Sequence, residues 1–139
     1  MGRWITRFAV LLAAWALGTV AWAQVVVTPS PPDNDQSILM FDVQAVNALT
    51  VTGLSTAMRA NGTTSLEIWG RSGSHVGFTN STAGWTLLGT SPSFTAAFNT
   101  QYDIPVLLNV PVAAGGTYAF MIRSTASGIV VGYRNSAGT

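Results

Sequence analysis

Beyond residue 23, no stretch of this chain repeats its apolar residues at the helical spacing of about three and four. They recur at every second position, in short runs broken by Gly, Asn and Pro. Such alternation sends successive side chains to opposite faces of an extended backbone, so each run reads as a half-buried β-strand. Leu39, Phe41, Val43 and Ala45 alternate with Met40, Asp42 and Gln44; Leu66 and Ile68 alternate with Glu67 and Trp69. Tyr118, Phe120 and Ile122 share a face farther on, and Ile129–Arg134 is the last strand. Leu49 and Val51 begin a run whose phase breaks at Gly53, which predicts a bulge or bend. Asn61-Gly62 is a hairpin signal, because both residues accept the positive φ of a tight turn. Asp103–Val110 alternates as well, with Pro105 pointing to an edge or a strand start. About seven to nine short strands of this kind predict an all-β fold, an antiparallel β-sandwich of jelly-roll type.

Residues 1–23 stand apart. Arg3 and Arg7 precede the apolar run Phe8–Val20, and Ala21-Trp22-Ala23 has the small-x-small pattern at which a secretory leader is cut. The run is shorter than the ~20 residues a membrane span needs, so a signal peptide is expected, with Gln24 first in the exported form. The formal net charge of +1 then belongs to the leader. The exported part carries Arg59, Arg71, Arg123 and Arg134 against Asp33, Asp35, Asp42, Glu67 and Asp103, and no lysine. Scattered arginines on a nearly neutral chain leave no electrostatic footprint for nucleic acid. There is no cysteine. Disulfides, thiol catalysis and cysteine metal sites are therefore excluded. The expected layout is a leader over 1–23, a Pro-rich edge segment over 24–37, and one sandwich domain over 38–139. Within the middle segment Val25–Thr28 reads as a short edge strand. Pro29, Pro31 and Pro32 favour extended chain. Asp33-Asn34-Asp35 reads as a solvated turn, because it lacks the glycine and distant acidic ligand of a calcium loop.

Most of the unusual polar residues fall between Ser65 and Thr90. His75 is the single histidine. Ser72 and Ser74 adjoin it, and Asp42 or Asp103 are candidate partners, but no nucleophile-elbow sequence supports a Ser-His-Asp triad. An exposed loop histidine is the simpler assignment. One histidine without cysteine does not make a zinc site, and no cofactor is expected. A glycosidase pair would have to come from Asp42, Glu67 and Asp103. Gly70 and Gly73 precede neither a lysine nor a helix, so they form no phosphate loop. The candidate ligand-binding residues are Trp69, Arg71 and His75. If Leu66 and Ile68 face the core, Trp69 points outward beside the other two, where an indole can stack on a sugar ring or on a partner's apolar surface. The alternative is that Trp69 packs under the neighbouring loop. Trp85 shares its phase with Leu87 and is assigned to the core.

The segments MFDVQAVNALTVTGL, LEIWGRSGSHVGF, GWTLLGT, IPVLLNVPVAAGGTYAFMI and VVGYRN succeed one another in this order. Together, over about residues 36–135, they resemble a group of uncharacterised bacterial exported proteins. Many of those are cell-surface or extracellular proteins, some with a C-terminal sorting segment, and no activity is established for the group. The resemblance implies a secreted β-sandwich and supplies no catalytic residue. Its members usually continue past the strand matching Ile129–Arg134. Here Asn135–Gly138 reads as a turn with only Thr139 after it. The expectation is a sheet short of one strand, whose exposed edge allows self-association. The function expected is a non-catalytic exported module that binds a surface glycan, a protein partner or another copy of itself, with no membrane contact once the leader is removed. A secreted hydrolase using His75 or the acidic residues is the rival.

Overall fold

The computed structural model describes residues 22–27, 32–79 and 81–134. The leader up to residue 21, Asn80, and the turn expected at Asn135–Gly138 lie outside the described residues. Among the described residues there are twelve strands: β1 (Trp22–Val27), β2 (Asn34–Gln36), β3 (Ile38–Gln44), β4 (Leu49–Met58), β5 (Gly62–Thr64), β6 (Leu66–Ser72), β7 (Thr86–Thr90), β8 (Phe94–Ala96), β9 (Thr100–Asp103), β10 (Val110–Val112), β11 (Thr117–Ser124) and β12 (Val131–Tyr133). Among the described residues no helix is long and apolar enough to cross a membrane.

Two sheets pack face to face as a β-sandwich. One is the antiparallel sheet β3-β11-β6-β7. The other is centred on β4, whose Ala57 and Met58 pair with β9 on one side and β12 on the other. β10 continues the β9 edge, pairing Val110 with Val51, and β2 lies outside β12. β1 runs parallel to β4 along Leu49–Ser55. A two-stranded ribbon, β5 with β8, closes one end.

The alternation expected of β3, β6 and β11 places Leu39, Phe41, Leu66, Ile68, Phe120 and Ile122 on the inner face, against Val51, Leu54, Met58 and Val131 of the opposing sheet. Phe120 is fully buried, its ring 5.9 Å from that of Phe41 and 5.1 Å from that of Tyr118. Each large apolar side chain moved from water to such a core contributes roughly 1.5–3 kcal/mol. The phase break in β4 is a bulge. Gln24 faces Val51 and Val25 faces Gly53, which leaves Thr52 as the extra residue. Val51 and then Leu54, Met58 consequently reach the same core despite their opposite parity.

Three local expectations change. Asn34 and Asp35, expected in a solvated turn with Asp33, instead begin strand β2, held to β12 by backbone pairing while Asp35 and Gln36 stay exposed. The alternating Ile104–Asn109 is not strand. It passes between β9 and β10 with Ile104 and Leu108 buried and Leu107 93% exposed. Pro105 withholds an N–H there, and the backbone N–H groups of Ile104 and Leu108 donate to Leu54 and Thr52 of β4. The described strands also outnumber the expected seven to nine, and five of them (β2, β5, β8, β10, β12) are three-residue pieces, too short to show alternation of their own.

Candidate functional site

The outer face of β3-β11-β6-β7 is built in rows set by strand register. Asp42, Ala119 and Arg71 form one row, Met40, Met121, Trp69 and Leu87 the next, and Ile38, Arg123, Glu67 and Thr90 the third. The segment joining β6 to β7 folds back over this face. Trp85, only 7% exposed, seals it by packing with Ala119, Met121, Met40 and Trp69. The Trp85 Nε1–H donates to the Phe78 carbonyl at 2.9 Å, closing the segment on itself. Trp85 is thus buried as expected, but in a second, outer cluster. Leu87 does not accompany it and is 47% exposed, because the bulge between Ile68 and Trp69 turns it outward.

Asp42 anchors the same segment. The Ser74 hydroxyl donates to Asp42 Oδ2 at 2.6 Å, and the His75 backbone N–H donates to Asp42 Oδ1 at 2.9 Å. His75 Nδ1 lies 2.8 Å from Oδ1. Facing a carboxylate, Nδ1 is the protonated nitrogen. Of the two acidic partners considered for His75, Asp42 is therefore the one used. The arrangement is not a nucleophilic triad. The serine bonds the carboxylate and not the imidazole, so nothing here draws the proton from Ser74. Nor do Asp42 and Glu67 make a glycosidase pair. Four residues along the strand and two strands across put Asp42 and Glu67 roughly 16 Å apart by sheet spacing, against the ~5–9.5 Å those reactions need.

Burial pushes the Asp42 carboxyl up. The bonds from Ser74 and His75, with the charge of His75, outweigh that and hold it below its ordinary value of 3.8. The unfolded chain then binds this proton at higher pH than the folded one. The carboxylate's contribution is fully present above the unfolded value and is lost as pH falls through the lower folded value. Asp42→Asn should flatten the acid limb of stability below about pH 4. Urea midpoints measured from neutral pH downward check this, and an unchanged acid limb would show that Asp42 is not the anchor.

Trp69 is half-buried, and its Nε1–H donates to Glu67 Oε2 at 2.9 Å. The same oxygen receives Arg123 through Nη2 at 2.6 Å and Nε at 2.8 Å, with the Arg123 guanidinium 5.5 Å from the indole. Arg71 stacks on Phe78, its guanidinium carbon 3.2 Å from the ring centroid. The three candidate residues therefore share one face but not one cluster: Trp69 belongs with Glu67 and Arg123, Arg71 with Phe78, and His75 with Asp42. Beside the Trp69 group lies an open cavity of about 180 Å³. Met40 and Met121 floor it, Ile38 and Arg123 flank it, and Thr79, Ser81 and Thr82 supply hydroxyls on its rim. It is smaller than the ~300–1,000 Å³ of drug-sized pockets, so it takes one small group of a larger ligand.

Arg123 and the two methionines were not among the sequence candidates. The signal was available: Met121 and Arg123 alternate with Phe120 and Ile122, so they had to face away from the core. Among the described residues no three of His, Asp and Glu come together as a metal site.

Fold and face define a β-sandwich whose one outer sheet surface is roofed, charged and indented. Compared with protein-family models, curated proteins and solved structures, the chain finds no match.

Proposed function

We propose that this is an exported, non-catalytic binding module, and that its ligand is a surface glycan held on the outer face of β3-β11-β6-β7. The observation that carries this is the cavity beside Trp69: an apolar floor of Met40 and Met121, a cation at Arg123 and a rim of threonine and serine hydroxyls. Sugars present apolar C–H faces and hydroxyl edges together, which such a mixed surface matches. Export rests on the leader and on the resemblance to exported bacterial proteins. The hydrolase alternative has the Asp42–His75 pair in its favour but no serine on the imidazole.

One experiment addresses both. The protein is presented with an array of immobilised polysaccharides, and both retention and released products are read. Retention without cleavage is expected, weakened about tenfold or more in Arg123→Ala, as for the loss of a charged contact of roughly 1.5–3 kcal/mol. Equal retention by Arg123→Ala removes this face as the site. Product release abolished by His75→Ala would establish the hydrolase instead.

A further inference from the structure

We propose that the hollow between the start of β6 in one sheet and the end of β9 in the other binds an alkylammonium group, a cation on a compact apolar body such as the trimethylammonium of choline. The hollow is open to solvent and measures about 170 Å³, close to the roughly 150 Å³ of an apolar cavity that takes up benzene. It shares no lining residue with the cavity beside Trp69, so it stands apart from the glycan reading.

Its walls are fixed before any ligand arrives. Leu66, fully buried at the start of β6, lies at its base. The connection from β7 to β8 is tied to that residue: the Ser91 N–H donates to the Leu66 carbonyl at 2.8 Å, and the Leu66 N–H donates to the Ser91 hydroxyl at 2.9 Å. This holds Pro92 and Phe94 in the wall, with Tyr102 and Pro105 completing it. The Phe94 and Tyr102 rings lie 5.0 Å apart, tilted by 44°. The Tyr102 hydroxyl is already engaged, accepting from the Ala97 N–H at 2.9 Å and donating to the Thr95 carbonyl at 3.3 Å. A ring held in this way gives up little freedom when a ligand packs on it.

One charge borders this apolar space. Asp103 lines the hollow and is exposed. Asp35, Asp42 and Glu67 lie against Arg59, His75 and Arg123 respectively, whereas Asp103 has no ion-pair partner among the described residues. No cation lines the hollow. An unpaired carboxylate beside two aromatic rings and aliphatic walls selects a ligand that is positive and apolar together. The carboxylate complements the charge, the ring faces attract it, and the prolines and Leu66 pack against its methyl groups. A sugar fits poorly, because Ser93 is the one other polar side chain here without a partner of its own in the fold, and most ring hydroxyls would go unpaired. An anion would meet Asp103 as a like charge.

Choline is the probe, titrated into the protein and followed by amide chemical shifts. Saturable shifts are expected around Pro92–Phe94 and Tyr102–Pro105. Neohexyl alcohol, which has carbon in place of the choline nitrogen, should bind about fivefold more weakly, the scale of an exposed ion pair. Asp103→Asn, at an exposed position, should bind the two equally and keep the urea midpoint of the unsubstituted protein. No saturation, equal binding of choline and the alcohol by the unsubstituted protein, or shifts gathered around Trp69 would each overturn the proposal. Phosphatidylcholine vesicles separate the sources of the group. Co-sedimentation that free choline displaces assigns it to a lipid headgroup, and choline binding without co-sedimentation assigns it to a soluble or polymer-borne ammonium.

Discussion

Phe120→Ala should cost about 3–5 kcal/mol of stability, the range for emptying a large aromatic site in a packed core. Phe120 is fully buried on the central strand of its sheet, between the rings of Phe41 and Tyr118 and opposite β4. β11 pairs along its length with β3 on one side and β6 on the other, so the surroundings cannot collapse into the space left behind. The loss should be global. Urea unfolding should stay a single transition at a much lower midpoint, and amide exchange should quicken together in β3, β6 and β11. A loss under about 1 kcal/mol, as for a surface site, would mean that Phe120 is not at the centre of the core.

Trp85→Ala should also cost about 3 kcal/mol or more, but the damage should be local. Trp85 fills the outer cluster, and its Nε1–H satisfies the Phe78 carbonyl. Without the indole, the β6–β7 segment is held by the Gly73 N–H bond to the Thr117 carbonyl, the Asp42 bonds to Ser74 and His75 and the stacking of Phe78 on Arg71, all near its β6 end. Limited proteolysis should then cut between Ser74 and Ala83, where the intact protein resists. The inner core contains no part of this cluster, so exchange in β4 should change little. Uniform loss of protection, reaching β4, would show that the outer cluster and the core are one cooperative unit.

How far the sequence revealed this molecule depends on the physics of each segment. β3, β6 and β11 were legible because each has one face on the core and one outside, and that difference writes itself as alternation. The β4 bulge was legible from Gly53 because both halves of the strand bury side chains, so the extra residue shifts the pattern. β2 was hidden because its pairing with β12 is a backbone matter, and Asp35 and Gln36 stay in water. Ile104–Asn109 misled because an irregular segment crossing a sheet edge also buries every few residues. The candidate face was half legible. Alternation places Glu67, Trp69 and Arg71 together, whereas their neighbours on β3 and β11 are set by register alone. Register brings Arg123 opposite Glu67, and it puts Asp42 on the face over which the β6–β7 segment folds. Asp103 belongs to the other sheet. No single-sequence pattern distinguishes it from Asp42 as a partner for His75.

The way β4 is flanked sets the order of folding. Its partners come from residues 22–27, 100–112 and 131–133, so contacts on both of its edges close loops of tens of residues. Pairings this distant along the chain slow folding toward the millisecond-to-second range of all-β domains. They also bar an early, self-contained half: until residues 131–133 are available, Ala57 and Met58 of β4 have β9 on one side and lack β12 on the other, and β2 lacks its partner altogether. A chain arranged like this acquires its shape only once nearly all of it is free to pair, so its last dozen residues decide when the rest can settle.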